Sequence, residues 1–287
     1  AYAAIIFFTP PPPIEFTSER RYRSARYTKD TAPLPSIKDE PSIDLTVVIP
    51  AYNETARLSG MLETTLAHLS AHPKRKAEIL IVDDGSRDGT GEFALKLARE
   101  RKSADIRVII LERNRGKGGA VRHGMMHARG RRLLMVDADG ASRFEDLELL
   151  WEAMDKLGDG PAIAIGSRAH LVKTDAVVKR SLLRNLLMYG LHTILRIVGV
   201  GHIRDTQCGF KLFSRPAAGI LFPAQRLQTW IFDVELLLRA KQANIPVVEV
   251  QIEWHEVPGS KLNVFMDSLQ MLRDLLVLRA NQLLGRW

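Results

Sequence analysis

Two carboxylates stand one residue apart at the end of the apolar run in LLMVDADGAS. If that run is a strand, Asp137 and Asp139 point to the same side of it, because side chains at i and i+2 share a face. Neighbouring carboxylates repel each other unless a positive charge lies between them. Oxygen ligands of this kind suit a divalent cation. A lone D-x-D triplet is a weak signal, but its place at a strand end predicts a metal site.

A second acidic pair, Asp83 and Asp84, follows another apolar run in VDDGSRDGT. Either carboxylate can accept hydrogen bonds from a base or a ribose. Ser86 and Asp88 can instead cap the helix that follows. Taken alone, the motif leaves both interpretations open, a nucleotide site or a capped turn.

A glycine-rich segment, NRGKGGAVRHG, places Gly116, Gly118 and Gly119 around Lys117. The segment lacks the dinucleotide fingerprint, because Val121 occupies the third glycine position, and this disfavours an α/β dehydrogenase. It also lacks the Ser or Thr that follows the lysine in a P-loop. Glycines that open a helix beside a lysine suit an anionic group at the helix N-terminus. A plain flexible turn remains the alternative.

The elements that must position these residues form a regular alternation from Leu45 onward. The apolar runs are LTVVIPAYNE, AEILIVDDGS, IRVIILERN, RRLLMVDADG and PAIAIGSR, and helical patterns near 57–70, 88–101, 118–128 and 144–157 separate them. This alternation predicts an α/β fold with a mostly parallel central sheet and helices on both faces. Ligands bind beyond the carboxyl ends of such strands. Every run ends in polar residues there, so we expect the site at that edge.

The pattern becomes less regular after Arg168. A long helix is predicted over 176–198, strands in TQCGFKLF and VVEVQIEW, and an extended start followed by a helix in TWIFDVELLLRAKQ. A terminal helix is predicted over 262–284. The helices over 176–198 and 262–284 carry arginines on largely apolar surfaces, which is typical of helices that lie on membranes. Covering the sheet or a partner subunit is the alternative for both.

Composition restricts the class of partner. The 287 residues are 46% hydrophobic and 26% charged, with a net charge of +8. Such a balance favours an anionic partner: nucleic acid, an anionic membrane or a phosphorylated substrate. Nucleic-acid binding is not predicted, because aromatic and basic residues do not interleave beyond the N-terminal region. The single Cys208 excludes an internal disulfide and suits a cytosol-facing domain, and no Cys/His cluster has zinc-ligand spacing.

Four regions are predicted along the chain. Residues 1–8 are apolar but shorter than the roughly 20 residues that span a bilayer. They are interpreted either as the remnant of an N-terminal membrane anchor or as a tail that packs on the surface. Residues 9–43 are predicted as a basic, Pro-rich juxtamembrane linker without a core, 44–260 as the catalytic domain, and 261–287 as a C-terminal amphipathic helix.

The motifs VVIPAYNE, ILIVDDGSRDGT, NRGKGGAVRHG, MVDADG and GSR, in this order and spacing, resemble those of the family 2 glycosyltransferases of GT-A fold. Within the family, DTQCGFKLF, WIFDVELL and EVPGSK are most similar to the polyprenyl-phosphate sugar synthases that use dolichyl phosphate. The resemblance implies inverting transfer of glucose from UDP-glucose, with Mg²⁺ or Mn²⁺, at the cytosolic face of the endoplasmic reticulum membrane. GDP-mannose remains open as an alternative donor. The oligomeric state is not predicted.

The resemblance also assigns the donor site by matching position. Asp137 and Asp139 would hold the metal and the diphosphate. His255 would complete the metal shell or be an ordinary residue at a strand end. The nucleotide-sugar site would comprise Pro50, Tyr52, Glu54, Asp83, Asp84, Ser86, Lys117, Gly118, Asp137 and Ala138.

For the acceptor, the resemblance places Arg168 near a phosphate of donor or acceptor, and Lys261 on the acceptor phosphate. Asp233 and Glu235 in FDVE are candidates for the carboxylate that, in many family 2 enzymes, deprotonates the acceptor. A phosphate monoester is already ionised at neutral pH, because its second pKa is about 6. Asp233 is therefore expected to act by positioning rather than as a strong base.

Overall fold

The computed structural model describes residues 9–11, 15–27, 30–173, 201, 203–259 and 264–287. In this part of the chain nine strands form one sheet. They are β1 (Arg21–Ser24), β2 (Ala32–Pro33), β3 (Ile43–Ala51), β4 (Ala77–Asp83), β5 (Asp105–Ile110), β6 (Gly130–Val136), β7 (Ile163–Ser167), β8 (Phe210–Ser214) and β9 (Val247–Gln251). Their spatial order is β2-β1-β5-β4-β3-β6-β8-β7-β9.

Seven α-helices of the described ranges connect and cover the strands. They are α1 (Leu58–Ala71), α2 (Thr90–Glu100), α3 (Lys117–Met126), α4 (Leu147–Leu157), α5 (Arg215–Ala224), α6 (Phe232–Gln242) and α7 (Val264–Leu283). The prediction of helices near 57–70, 88–101, 118–128 and 144–157 is confirmed. Helix α5 was not predicted; its N-cap is Ser214, whose hydroxyl accepts a hydrogen bond from the Ala217 amide.

The centre of the sheet is parallel and buried on both faces. Strands β5, β4, β3 and β6 run parallel, while β8 pairs antiparallel with both β6 and β7. Consecutive residues Val47, Val48 and Ile49 of β3 are fully buried. Because successive side chains of a strand point to opposite faces, both faces must be covered. The predicted α/β fold with its mainly parallel central sheet is therefore confirmed.

Part of the segment 9–43, predicted as a linker, belongs to the folded unit. Strand β1 pairs antiparallel with β5, which would otherwise be the edge of the sheet. Ile37 is 5% exposed and belongs to the hydrophobic core. Glu19 is fully buried and forms an ion pair with Arg115. The Pro-rich, charged composition of the segment 9–43 did not predict these contacts, because the partner residues lie in other parts of the chain.

The terminal helix α7 packs on the domain through Met271, Leu275 and Leu278, all buried. Its buried Asp274 accepts a hydrogen bond from the Thr229 hydroxyl. On its other face Met266, Leu269, Leu272 and Leu276 are exposed, together with Arg273. Among the described residues, no helix combines the length and the hydropathy that crossing a bilayer requires. The predicted helix over 176–198 and residues 1–8 lie outside the described residues.

Candidate active site

A cavity of about 640 Å³ opens where β3, β4, β6 and β7 end. This is the edge of the sheet that the strand pattern predicted. Residues predicted for the site supply much of its lining, namely Pro50, Tyr52, Glu54, Asp84, Lys117, Asp137, Ala138, Asp139 and Arg168. The cavity is therefore the candidate active site.

At its centre, Lys117 and Asp137 form an ion pair. Lys117 Nζ donates to Asp137 Oδ2 at 2.8 Å and lies 2.7 Å from Oδ1. Burial lowers the pKa of Lys117, but the carboxylates of Asp137, Asp233 and Asp139 raise it more, so the net pKa is raised. The ammonium is thus positive at neutral pH, and it offsets the charge of the first aspartate at the place where a diphosphate would lie.

The residues present fit a divalent cation. Asp137 Oδ1 is buried and makes no hydrogen bond of its own, although Lys117 is near. Asp139 uses Oδ1 to accept the Ala141 amide at 3.0 Å. Behind the pair lies Gly209, where a Cβ would come within 2.0 Å of Asp137 Oδ2. Carboxylate oxygens with unused acceptor capacity are the ligands that Mg²⁺ and Mn²⁺ prefer.

Asp84 forms the floor of the cavity at the end of β4. Its two carboxylate oxygens accept the backbone amides of Arg115 and Gly116, each at 2.8 Å. Burial raises the pKa of Asp84 to about 7, against these two hydrogen bonds. Gly116 has φ +88°, and a Cβ there would meet the Gln228 carbonyl oxygen at 2.7 Å. The glycine-rich turn is therefore shaped so that the loop can pass over this carboxylate.

Asp83 and Ser86 organise the turns that follow β4 and β3 without lining the cavity. Asp83 accepts the Ser86 amide at 3.0 Å, and the Ser86 hydroxyl accepts the Asn53 amide at 2.9 Å. Gly118 also lies behind the lining, and its carbonyl accepts a hydrogen bond from Gln225. These three predicted residues shape the loops around the site rather than face it.

Arg168, at the end of β7, is held in one orientation by Asp205. Its Nε and Nη2 donate to the two carboxylate oxygens at 2.7 and 2.8 Å. The guanidinium also lies 5.3 Å from the ring centroid of Trp254. Such a two-point ion pair fixes the plane of the guanidinium. The cavity thus has a fixed positive charge on the side opposite β4.

Asp233 lies behind the cavity lining, in a buried ion pair with Lys211. Their side chains are 3% and 1% exposed, and Lys211 Nζ lies 2.7 Å from Asp233 Oδ1. Burial raises the pKa of Asp233, while Lys211 and Lys117 lower it in part. Its connection to the site is therefore electrostatic, through Lys117; the positioning role of Asp233 stays a prediction.

Glu235 does not lie with Asp233, and its prediction as a catalytic carboxylate is wrong. It is fully buried and accepts the backbone amides of Arg226 and Leu227 and the guanidinium of Arg239. On a helix, two side chains at positions i and i+2 point to different sides, about 200° apart around the axis. Once FDVE is helical, only one of its two carboxylates can be directed towards the site.

His255 and Lys261 complete the predicted set. His255 is exposed and does not line the cavity, so it does not complete the shell around Asp137 and Asp139. Its backbone amide instead pairs with the Ala141 carbonyl at 3.0 Å, which turns the side chain outward. Lys261 lies outside the described residues.

Several lining residues were missed from the sequence. Arg57, one turn after Glu54, donates to its carboxylate through two nitrogens. Arg115 lies in the glycine-rich segment, two residues before Lys117. The others come from later segments of the chain, namely Thr229, Trp230, Trp254, Glu256, Asp267 and Gln270. Arg57 and Arg115 each had a local signal, the i,i+3 spacing from a carboxylate and the place beside Lys117. The later residues are brought to the cavity by the tertiary fold.

Comparison with solved structures identifies the architecture. Glucosyl-3-phosphoglycerate synthase from Mycobacterium tuberculosis in complex with uridine-diphosphate superposes with a TM-score of 0.57 at 18% identity, over 86% of this chain and 88% of that one. The same enzyme with Mn²⁺ and UDP-glucose gives 0.56 at 17% identity, over 83% and 79%. At such identities the similarity establishes the fold, the GT-A fold that the motifs predicted.

Sequence relatives are much closer. A dolichyl-phosphate beta-glucosyltransferase of Saccharomyces cerevisiae is 48% identical over 259 residues, 86% of this chain and 78% of the relative. One from Homo sapiens is 46% identical over 276 residues, 94% and 84%. The family model for glycosyl transferase family 2 matches residues 46–221. The chain therefore belongs to glycosyl transferase family 2, as a relative of its dolichyl-phosphate β-glucosyltransferases.

Proposed function

We propose that this protein transfers glucose from UDP-glucose to dolichyl phosphate and forms dolichyl β-D-glucosyl phosphate with inversion at the anomeric carbon. The relatives that carry this activity in their names match most of the chain. The observation that carries the proposal is the convergence of Asp84, the Lys117–Asp137 pair and Arg168 on one cavity. A nucleotide, a diphosphate and a second phosphate each find a complementary group there.

The donor lies along the edge of β3, β4 and β6. Asp84 and Tyr52 contact the uridine, and Lys117 contacts the diphosphate at the N-terminus of α3, where the helix dipole favours anions. Asp137 and Asp139 would hold Mg²⁺ or Mn²⁺, which would supply positive charge against the departing diphosphate. Lys117 shares that task, because its ammonium already lies against Asp137.

In the transfer step, an oxygen of the acceptor phosphate forms the new bond to the anomeric carbon from the face opposite UDP. The bond between that carbon and the donor diphosphate oxygen breaks, and its electron pair leaves with UDP. An ionised phosphate needs no proton removed, so the protein supplies alignment of two anions that otherwise repel. Arg168 holds the acceptor, since Asp205 fixes its guanidinium and leaves Nη1 outside that pair. Lys261 is a second contact for the same phosphate.

The acceptor reaches the cavity from a membrane surface on which α7 lies. Asp267 and Gln270 of this helix line the cavity. On its outer side Met266, Leu269 and Leu276 are 62, 50 and 60% exposed. Apolar side chains at these spacings form one stripe, which can enter the headgroup region of a bilayer. We place the protein at the cytosolic face of the endoplasmic reticulum membrane; its single cysteine, Cys208, which can form no internal disulfide, suits a reducing compartment.

Incubation with radiolabelled UDP-glucose or GDP-mannose and dolichyl phosphate tests the reaction. We expect a labelled lipid product from UDP-glucose alone, lost in Asp139→Ala. Asp159→Ala, which removes an exposed carboxylate far from the lining, is the control and keeps activity. A product from GDP-mannose alone, or normal turnover by Asp139→Ala, contradicts the proposal.

Sedimentation with anionic vesicles tests the membrane contact. We expect Leu269→Ser and Leu276→Ser to weaken vesicle binding. Leu149→Ser removes a comparably exposed leucine from α4 and serves as the control, which keeps binding. Protease protection in microsomes then shows the facing: digestion of the domain in intact vesicles supports the cytosolic face, and protection contradicts it.

A further inference from the structure

Two histidines stand four residues apart at the C-terminal end of α3, outside the cavity lining. His123 lies in the helix and His127 is its C-cap. This spacing puts the two side chains on one face, and their ring centroids are 4.8 Å apart. Glu15, from the segment before β1, joins them. One ligand atom from each of the three residues lies within 4.8 Å of the other two.

The hydrogen bonds of both rings leave one nitrogen of each without a partner. His123 Nε2 lies 2.7 Å from the Glu19 carbonyl oxygen, and His127 Nδ1 lies 2.6 Å from that of Pro35. A carbonyl only accepts, so these nitrogens carry the hydrogen. His123 Nδ1 and His127 Nε2 are buried and have no hydrogen-bond partner in the described part of the chain. Buried polar atoms without partners are rare in native proteins and call for an explanation.

This arrangement is the one that metal-binding histidines show. A histidine ligand usually donates its other ring N–H to a backbone carbonyl or a carboxylate, which fixes the tautomer and aims the free nitrogen at the metal. His123 and His127 both do so. A fully buried imidazole, with His123 only 2% exposed, would otherwise lose a hydrogen bond without compensation.

A second group, His68, His72 and Glu148, has similar spacing but is already satisfied. Both oxygens of Glu148 accept from the Arg75 guanidinium, at 2.6 and 2.9 Å, and one also faces His68 Nε2. Both oxygens of Glu15 also face arginines, Oε1 at 3.3 Å from Arg122 and Oε2 at 3.6 Å from the exposed Arg20, but these distances are longer than those between Glu148 and Arg75. The group of Glu15, His123 and His127 differs from this one in its two buried imidazole nitrogens without a hydrogen-bond partner among the described residues.

We propose that Glu15, His123 and His127 form a second metal site, for Zn²⁺ or a similar transition-metal ion, that fastens the N-terminal segment to α3. Two histidines and a carboxylate, with water in the fourth position, are a common zinc ligand set. Zinc bonds of about 2.0–2.2 Å place ligand atoms about 3.4 Å apart. The group therefore closes by an ångström or so on binding, which the N-terminal segment can supply.

The site has a consequence for the cavity. Lys117 opens the same helix, and His123 lies six residues, or about 9 Å, further along it. Glu19, four residues after Glu15, pairs with Arg115 of the cavity lining. A metal that holds Glu15 against α3 thus helps to keep Glu19 against Arg115, and so restrains the loop that presents Lys117 and Arg115 to the nucleotide.

Zinc titration of the full chain tests the site. The protein is stripped with a chelator and kept in excess Mg²⁺, which occupies carboxylate sites but competes poorly for imidazole. We expect one equivalent of Zn²⁺ by calorimetry, and an intense visible band with Co²⁺ that is typical of four-coordination. Removing a ligand in Glu15→Gln or His127→Gln should weaken zinc binding by about 100-fold or more, beyond the loss known for supporting residues.

Tryptic cleavage after Arg20 or Arg21, both exposed, gives a second readout. Zinc should slow it in the wild type and not in the two variants. His170→Gln removes an exposed histidine and should bind zinc as the wild type does. Melting temperatures in metal-free buffer check that the variants fold. Absence of zinc binding, wild-type binding by both variants, or loss of binding in His72→Gln instead would overturn the proposal.

Discussion

Replacement of Lys211 by methionine removes the cation from the buried ion pair with Asp233. Both side chains are almost fully buried, and the nitrogen lies 2.7 Å from the carboxylate oxygen. Without Lys211, Asp233 must either stay ionised in a low-dielectric interior or take up a proton. Breaking a buried pair from one side typically costs about 3–5 kcal/mol.

If Asp233 takes up a proton, the free energy of that protonation is the largest stability loss expected, and it depends on pH. With an unfolded pKa of 3.8, protonating Asp233 at pH 7 spans about 3.2 pH units at about 1.4 kcal/mol each, or about 4.4 kcal/mol. At pH 5 the cost falls to about 1.6 kcal/mol. A folded pKa raised above the unfolded one gives stability that is full below pH 3.8 and is lost as the pH rises. The loss in Lys211→Met should therefore grow from pH 5 to pH 7.

Urea unfolding of wild type and Lys211→Met at pH 5, 6 and 7 measures this loss. Lys102→Met removes an exposed lysine and should change stability little at any pH. Lys211→Met/Asp233→Asn, which leaves no buried charge, should recover most of the stability at pH 7. An equal loss at pH 5 and pH 7, or a double variant no more stable than the single one, would refute the reasoning.

Two further predictions concern the cavity. Burial raises the pKa of Asp84 to about 7, so the contribution of this carboxyl to stability is full below pH 3.8 and is lost as the pH rises through 7. The melting temperature of the ligand-free protein should therefore fall between pH 5 and 8, and should fall less in Asp84→Ala. An equal fall of the melting temperature in the two proteins would contradict this. In Gly209→Ala the new Cβ would lie 2.0 Å from Asp137 Oδ2; displacing that carboxylate by an ångström should lower turnover by about 100-fold. Gly219→Ala, where a Cβ meets nothing within 4 Å, is the matched control, and similar turnover in both variants would count against the metal role of Asp137.

The sequence predicted those site residues that directly follow the strands. Asp84, Asp137 and Arg168 each follow an apolar strand, and parallel strands bring such residues to one edge without any knowledge of distant contacts. The glycine-rich turn before α3 predicted Lys117 in the same way. Local chemistry and the topology of the sheet were sufficient for these positions.

Residues whose partners are distant could not be predicted. Arg115 and Glu19 lie 96 positions apart and pair only in the folded protein. Arg168 and Asp205, 37 positions apart, are a similar case. Glu235 was assigned wrongly because FDVE was treated as a pair of carboxylates, whereas the helix separates their directions.

The donor site is tested most directly by a crystal of the protein grown with UDP and Mn²⁺, in which anomalous scattering locates the ion. We expect one manganese peak between the carboxylates of Asp137 and Asp139, in contact with the diphosphate, and Lys117 Nζ turned from Asp137 to a phosphate oxygen. A peak elsewhere in the cavity, or a diphosphate bound away from these two carboxylates, would show that Asp137 and Asp139 do not hold the metal.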